Sequence, residues 1–232
     1  MDTPALSLVH VAVAPRTPSA RPPILVLLPG LGSDEHDLAE LAPQLDPRFL
    51  CLSVRAPLPH PPGWSWYPID FTPRGDLVAD ESAAPESRDR IARFVAEAVD
   101  AYGADPWRVY LLGFSQGASM ALYTALTRAG VAAGVVVMSG RLVSAIEFET
   151  VPGNDGLPIL TVHGTHDPVL PVEQGRAIRK FLETQKVTST YREYPMGHQV
   201  SAESLADIDA WLTARLDESA LTAADDPVSG PG

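Results

Sequence analysis

Cysteine is almost absent from this chain: Cys51 is the single one, so an internal disulfide is excluded. It lies in the apolar run Phe49-Leu-Cys-Leu-Ser-Val54, where a small buried residue in a strand is expected and a nucleophile is not. Positive charge is also scarce, with 17 Lys and Arg against 29 Asp and Glu and a formal net charge of −12. No basic patch stands out to offset phosphate repulsion, so nucleic acid is not an expected partner. No apolar run approaches the length of a membrane span, and Met1 to His10 lacks a charged start followed by a long apolar core. Integral membrane association is therefore not expected, and the cytoplasm is the expected location. No internal repeat is visible.

What is present suits a single folded domain. With 232 residues, 45% hydrophobic and 20% charged, the chain can bury a sizeable core. The stretch from Leu221 to Gly232 is small, acidic and rich in turn formers, so we expect a domain over 1–218 and a disordered tail over 219–232.

The stretch from Tyr110 to Tyr123 organises the rest. A short apolar run breaks at Gly113-Phe114-Ser115-Gln116-Gly117, after which Ala118, Leu122, Ala125 and Leu126 recur near a helical period. It reads as strand, sharp turn, helix. Two glycines flank the bend and relieve its backbone, so Ser115 is presented at a helix N-terminus, in the pattern G-x-S-x-G of a nucleophile elbow.

Around it, strands and helices alternate. Ser7 to Val13 is a candidate edge strand, and Ile24-Leu-Val-Leu-Leu28 reads as a central strand buried on both faces. Ser33 or Asp34 could cap a helix carrying Leu38, Leu41 and Leu45. Leu50 to Val54 is the next strand, followed by a proline-rich irregular loop to about Pro85 that holds Trp64, Trp66, Tyr67 and Phe71. A loop that long suggests a wall or partial lid over a ligand pocket. Glu86 to Tyr102 is an amphipathic helix with Ile91, Phe94, Val95, Ala98 and Val99 on one face and Arg88 off it. Val135 to Met138, Leu157 to Val162 and Thr188 to Tyr194 are further strands, and Val172 to Thr184 and Ser201 to Leu216 further helices. This alternation implies a mostly parallel sheet with helices on both faces, an α/β fold whose ligands bind beyond the carboxyl ends of the strands.

Chemistry-bearing residues fall at those ends. His163-Gly-Thr-His-Asp167 follows one strand and Pro195-Met-Gly-His198 the next, giving the chain order serine, acid, histidine found in α/β-hydrolases. A serine hydroxyl is a weak nucleophile until an imidazole takes its proton, and a carboxylate fixes that ring's tautomer and steadies its charge. Ser115, His198 and Asp167 are the candidates for those tasks. The developing oxyanion needs donors: the backbone N–H of Gln116 is one, and Leu31 in the turn Pro29-Gly-Leu-Gly32 is our choice for the other. His163, His166 and Asp167 are close enough to suggest a metal, but Asp167 already has a task and a fourth ligand is not evident, so no metal or other cofactor is expected. His163 is expected to make a structural hydrogen bond behind the triad, and His10, His36 and His60 read as surface residues.

Taken together, these pieces resemble the phospholipase/carboxylesterase family of α/β-hydrolases, which includes carboxylesterases and acyl-protein thioesterases. The matching segments are Leu28-Pro-Gly-Leu-Gly-Ser33, Arg55-Ala-Pro57 with Trp66-Tyr67, Asp105 to Gly117, Met138-Ser-Gly140, His163 to Val169, and Met196-Gly-His198. They run in order from residue 24 to about 214. The resemblance implies an α/β-hydrolase fold, the triad Ser115, Asp167 and His198, and oxyanion donors at Leu31 and Gln116. The family often has histidine where this chain has Pro29, which implies a stiffer turn.

The expected function is hydrolysis of carboxylic esters with short to medium acyl chains through an acyl-enzyme. The same triad leaves acyl-protein thioesterase, lysophospholipase and acyltransferase activities open, with a non-catalytic binder on this scaffold as a remote alternative. Trp66, Tyr67, Met138, Val169 and Leu170 are the candidate substrate-binding residues. The expected partner is a small-molecule ester or thioester, with a homodimer kept as an option.

Overall fold

The computed structural model describes residues 4–71 and 77–224. Its core is a seven-stranded sheet built from β1 (His10–Val13), β2 (Ile24–Leu28), β3 (Leu50–Val54), β8 (Val109–Phe114), β9 (Gly134–Met138), β10 (Pro158–Gly164) and β11 (Thr188–Tyr194), in the order β1-β3-β2-β8-β9-β10-β11. All neighbours pair in parallel except β1, which runs antiparallel along β3 at the edge.

The central strand shows why the sheet is covered twice. In β2 every residue is buried; Ile24, Val26 and Leu28 join one core cluster and Leu25 and Leu27 the other. Successive side chains in a strand point to opposite faces, so an uninterrupted apolar run requires helices on both. The first face is covered by α1 (Ala84–Tyr102), α2 (Gln116–Thr127) and α4 (Val172–Leu182), and the second by a 3-10 helix over Leu38–Gln44 and by α5 (Ala202–Ala224). The α/β-hydrolase architecture is the one expected from the alternation of strands and helices.

Several local expectations are corrected. The helix expected after β2 is a 3-10 helix starting at Leu38 with Pro43 inside it, and neither Ser33 nor Asp34 caps it; proline removes a backbone donor and holds the segment short of an α-helix. The stretch after β3 is not irregular throughout. It forms two small hairpins, β4 (Leu58–His60) with β5 (Gly63–Ser65) and β6 (Ile69–Phe71) with β7 (Leu77–Ala79), before a 3-10 turn over Glu81–Ala83. The Phe71 side chain lies outside the described residues. A one-turn helix, α3 (Ile146–Glu149), follows β9. Helix α2 is buried along its whole length rather than on one face, because the sheet, α1 and α3 enclose it.

Arg88, expected off the apolar face of its helix, and His10, expected at the surface, are both buried. Arg88 faces inward from α1, bonded to Tyr123 Oη at 3.1 Å and paired with Glu149. His10 is only 7% exposed; its Nε2 lies 2.8 Å from Tyr102 Oη, and burial pushes its pKa down. Helix α5 runs to Ala224, past the boundary at 218, so the first residues of the expected tail are helical. The remainder, 225–232, lies outside the described residues.

Candidate active site

The chain enters the sheet at the edge strand β1, passes to β2, returns to β3 between the two, and then crosses to β8 on the other side of β2. Strand order reverses between β2 and β8, and the crevice at such a switch point is where open α/β sheets bind ligands. Ser115 directly follows β8 and the turn carrying Leu31 directly follows β2, so both stand at this crevice.

Ser115 has φ 55 and ψ −118, a left-handed conformation that non-glycine residues rarely adopt. The flanking glycines act differently from expectation, since neither has a positive φ. They allow close approach instead. A Cβ on Gly113 would lie 2.3 Å from Gly117 O, and one on Gly117 would lie 2.1 Å from Leu28 O. The strain sits on the serine itself, whose backbone N–H is held by Met138 O at 2.9 Å.

His198 Nε2 lies 2.9 Å from Ser115 Oγ, and His198 Nδ1 lies 2.7 Å from Asp167 Oδ2. The Asp167 side chain is fully buried and that of His198 is 15% exposed. The other carboxylate oxygen, Asp167 Oδ1, accepts the backbone N–H groups of Val169 and Leu170, each at 2.9 Å. Two loops bring acid and imidazole together: Thr165 N donates to Tyr194 O at 2.8 Å and His166 N to Met196 O at 3.1 Å. A Cβ on Gly164 would meet Met196 O at 2.3 Å, so glycine there permits the contact. The Phe114 ring packs against His198 at 4.9 Å.

His163 belongs to β10 rather than to the loop, and its fully buried ring lies 2.8 Å from Leu170 O through Nε2. This is the structural hydrogen bond expected behind the triad. Its Nδ1 packs against Gly175 of α4, where a Cβ would come within 2.7 Å.

The turn after β2 is braced by the first hairpin. Gly32 N donates to Trp64 O at 2.8 Å, Trp64 N to Ser33 O at 3.1 Å, and Trp66 Nε1 to Pro29 O at 2.9 Å. Gly30 packs against Ser115, so that a Cβ on this glycine would lie 3.4 Å from Ser115 Cβ. Among the described residues neither Leu31 N–H nor Gln116 N–H takes an acceptor, so two donors flank the serine with capacity to spare.

A cleft of about 170 Å³ opens over these groups, lined by Leu31, Tyr67, Ser115, Gln116, Val169, Leu170 and His198 together with Ile69, Ser119 and Arg141. Tyr67, Val169 and Leu170 thus line it as expected. Trp66 and Met138 do not. Trp66 is fully buried and directs its donors to Pro29 O and the Gln116 side chain. Met138 is 1% exposed and packs in the second core cluster with Val136 and Leu160, because alternation along β9 turns it away from α2. Sequence reasoning misses Ile69, Ser119 and Arg141. For Arg141 a signal exists, since it follows directly on the Met138-Ser-Gly140 segment at a strand's carboxyl end.

A profile of the phospholipase/carboxylesterase family matches residues 10–216. The chain belongs to that family. Among its relatives, acyl-protein thioesterase 1 of Neurospora crassa is 31% identical over 84% of this chain and 92% of its own. Carboxylesterase SOBER1 of Arabidopsis thaliana is 30% identical over 68% of this chain and 71% of its own. The crystal structure of esterase PE8 superposes with a TM-score of 0.78 at 27% identity, covering 90% of this chain and 98% of that one. Membership of the phospholipase/carboxylesterase family places the chain among serine ester hydrolases.

Proposed function

We propose that this protein is a cofactor-free serine hydrolase of carboxylic esters with small acyl groups, acting through Ser115, His198 and Asp167. The observation that carries the reading is the continuous relay from Ser115 Oγ to His198 Nε2 at 2.9 Å and from His198 Nδ1 to Asp167 Oδ2 at 2.7 Å. Ser115 Oγ attacks the ester carbonyl while His198 Nε2 takes its proton, and Asp167 holds the imidazolium. The tetrahedral oxyanion accepts hydrogen bonds from Leu31 N–H and Gln116 N–H. Collapse expels the alcohol, which leaves with the proton from His198. Water then attacks the acyl-enzyme with His198 again as base, releasing the acid and restoring Ser115.

The small cleft supports small substrates. At about 170 Å³ it falls below the ~300–1,000 Å³ usual for drug-sized ligands. Thioesters share the carbonyl chemistry, and the thioesterase among the relatives keeps them within this reading. The net charge of −12 disfavours approach to anionic bilayers, which supports soluble esters in the cytoplasm over membrane lipids. Among the described residues no helix is long and apolar enough to cross a membrane.

The test is stopped-flow hydrolysis of p-nitrophenyl esters of increasing acyl length by wild type and Ser115→Ala. We expect a burst equal to the enzyme concentration in the wild type and a loss of at least about 10³-fold in kcat in the variant. Unchanged turnover in Ser115→Ala would sink the mechanism. Product analysis with added alcohols separates hydrolysis from acyl transfer.

A further inference from the structure

The cleft beside Ser115 adjoins a second hollow of about 390 Å³, bordered by Ala79, Glu81, Ser144 and Gln174. Three residues border both spaces: Arg141, Val169 and Leu170. Val169 and Leu170 continue from one into the other as an apolar floor. Arg141 is the one polar side chain common to both linings, and it is fixed from several directions.

Its Nη2 lies 2.6 Å from Glu81 Oε1, with the two side chains 18% and 13% exposed. The same nitrogen lies 3.3 Å from Tyr67 Oη, and Nη1 donates to Leu142 O at 3.3 Å. Its backbone N–H donates to Ser119 Oγ at 3.0 Å, which ties it to α2 one turn beyond Ser115. Glu81 in turn accepts Ser144 N–H through Oε2 at 2.7 Å. The pair thus joins the 3-10 turn after β7 to the segment after β9, with Arg141 on the lining of both hollows and Glu81 on that of the second.

We propose that the Arg141–Glu81 pair is the partition that limits substrate length, confining the protein to esters whose chain ends on the Ser115 side. The inference rests on Ser115 being the nucleophile of an ester hydrolase. A longer apolar chain following the Val169–Leu170 floor has to part the pair or press against it. Parting it strands two poorly hydrated charges, and covering it removes the water they retain; both disfavour the long chain. The planar guanidinium, held at several points, has little freedom to swing aside. With the arginine shortened, the floor is continuous and the second hollow receives the extra carbons.

The experiment compares kcat/KM for two series, p-nitrophenyl esters from acetate to decanoate and acetate esters of alcohols of increasing length. It uses wild type, Arg141→Ala and Glu81→Gln, each checked for a cooperative thermal melt. We expect the long-to-short ratio in one of the two series to rise about tenfold in Arg141→Ala, the size of effect a few methylenes produce in a pocket. A rise below about threefold in both series overturns the partition. Should Arg141→Ala not fold, Glu81→Gln, which keeps the bulk and removes one charge, is judged by the same threshold. A Ser115→Ala control as active as wild type would instead strike the hydrolase reading on which the partition depends.

Discussion

Gln116 and Trp66 are joined through the glutamine side chain, whose Oε1 accepts the Trp66 backbone N–H at 2.8 Å. Its Nε2 donates to the neighbouring carbonyl of Tyr67 at 2.7 Å, and Trp66 Nε1 reaches Pro29 O. The residue after Ser115, the wall of the cleft and the turn carrying Leu31 are thereby one unit. Preorganised donors stabilise charge at no reorganisation cost when a reaction occurs, and in the proposed mechanism this unit is what holds the Leu31 and Gln116 N–H groups still.

Gln116→Ala keeps the backbone N–H yet leaves the Trp66 N–H and Tyr67 carbonyl buried without partners. Each orphaned group costs about 1–3 kcal/mol, so thermal unfolding should show Tm lowered by roughly 5–10 °C. kcat on a short ester should fall about tenfold or more as the Leu31 turn loosens. A variant that melts with wild type would mean that the glutamine side chain is not the brace.

Ser115→Gly makes the strain at the elbow measurable. Alanine at this position retains the Cβ that φ 55 disfavours, whereas glycine adopts the conformation freely. Ser115 is the N-cap of α2, where glycine already outranks alanine, and backbone strain of ~1–3 kcal/mol should widen that lead. Both variants should be inactive, with Ser115→Gly melting roughly 2–4 °C above Ser115→Ala. Equal melting temperatures would mean the backbone is not strained at the serine.

The bend at Ser115, the grouping of Ser115, His198 and Asp167 and the layered sheet were legible in the sequence because each rests on a local pattern: glycines spaced about a serine, apolar runs of strand length, and acid and imidazole directly after strands. What escaped depends on distant partners. Arg141 acquires meaning from Glu81, far upstream in the chain, and no periodicity announces that pair. His10 looks like a lone surface histidine until α1 supplies Tyr102 and Phe94 around it. Met138 sits at a strand end as expected, but the phase of the strand turns it into the core beneath α5, and register with β8 and β10 sets that phase. The hairpins after β3 use strands of three residues with Pro59 inside one of them, too short to show an alternation.

Cys51 should be chemically silent in the folded protein. It is buried in β3, and burial pushes its thiol up to about 12, so almost no thiolate exists near neutral pH. Ellman's reagent should label one thiol per chain in strong denaturant and essentially none in buffer, and alkylating conditions should leave esterase activity intact. Rapid labelling of the native protein would mean that β3 opens locally.

Asp209, on the inner side of α5, offers a stability gain with a defined pH dependence. Its Oδ1 is buried without a hydrogen-bond partner among the described residues. Burial raises its pKa above the usual carboxylate range, opposed by a backbone hydrogen bond at Asp46, while the Asp46 charge adds to the rise. A carboxyl whose pKa is raised on folding favours the native state when protonated. Its contribution is complete below the unfolded value of ~3.9 and is lost as pH rises through the higher folded value. At neutral pH the ionised group is therefore a liability, and Asp209→Asn, of the same shape without the charge, removes it. Tm of the variant should exceed wild type by roughly 1–3 °C at pH 7, and the difference should shrink as pH falls through the raised folded value to the unfolded value of ~3.9. Paired melts at the two pH values decide the matter: an advantage of the same size at both would place its origin in packing or hydrogen bonding rather than in the charge of Asp209.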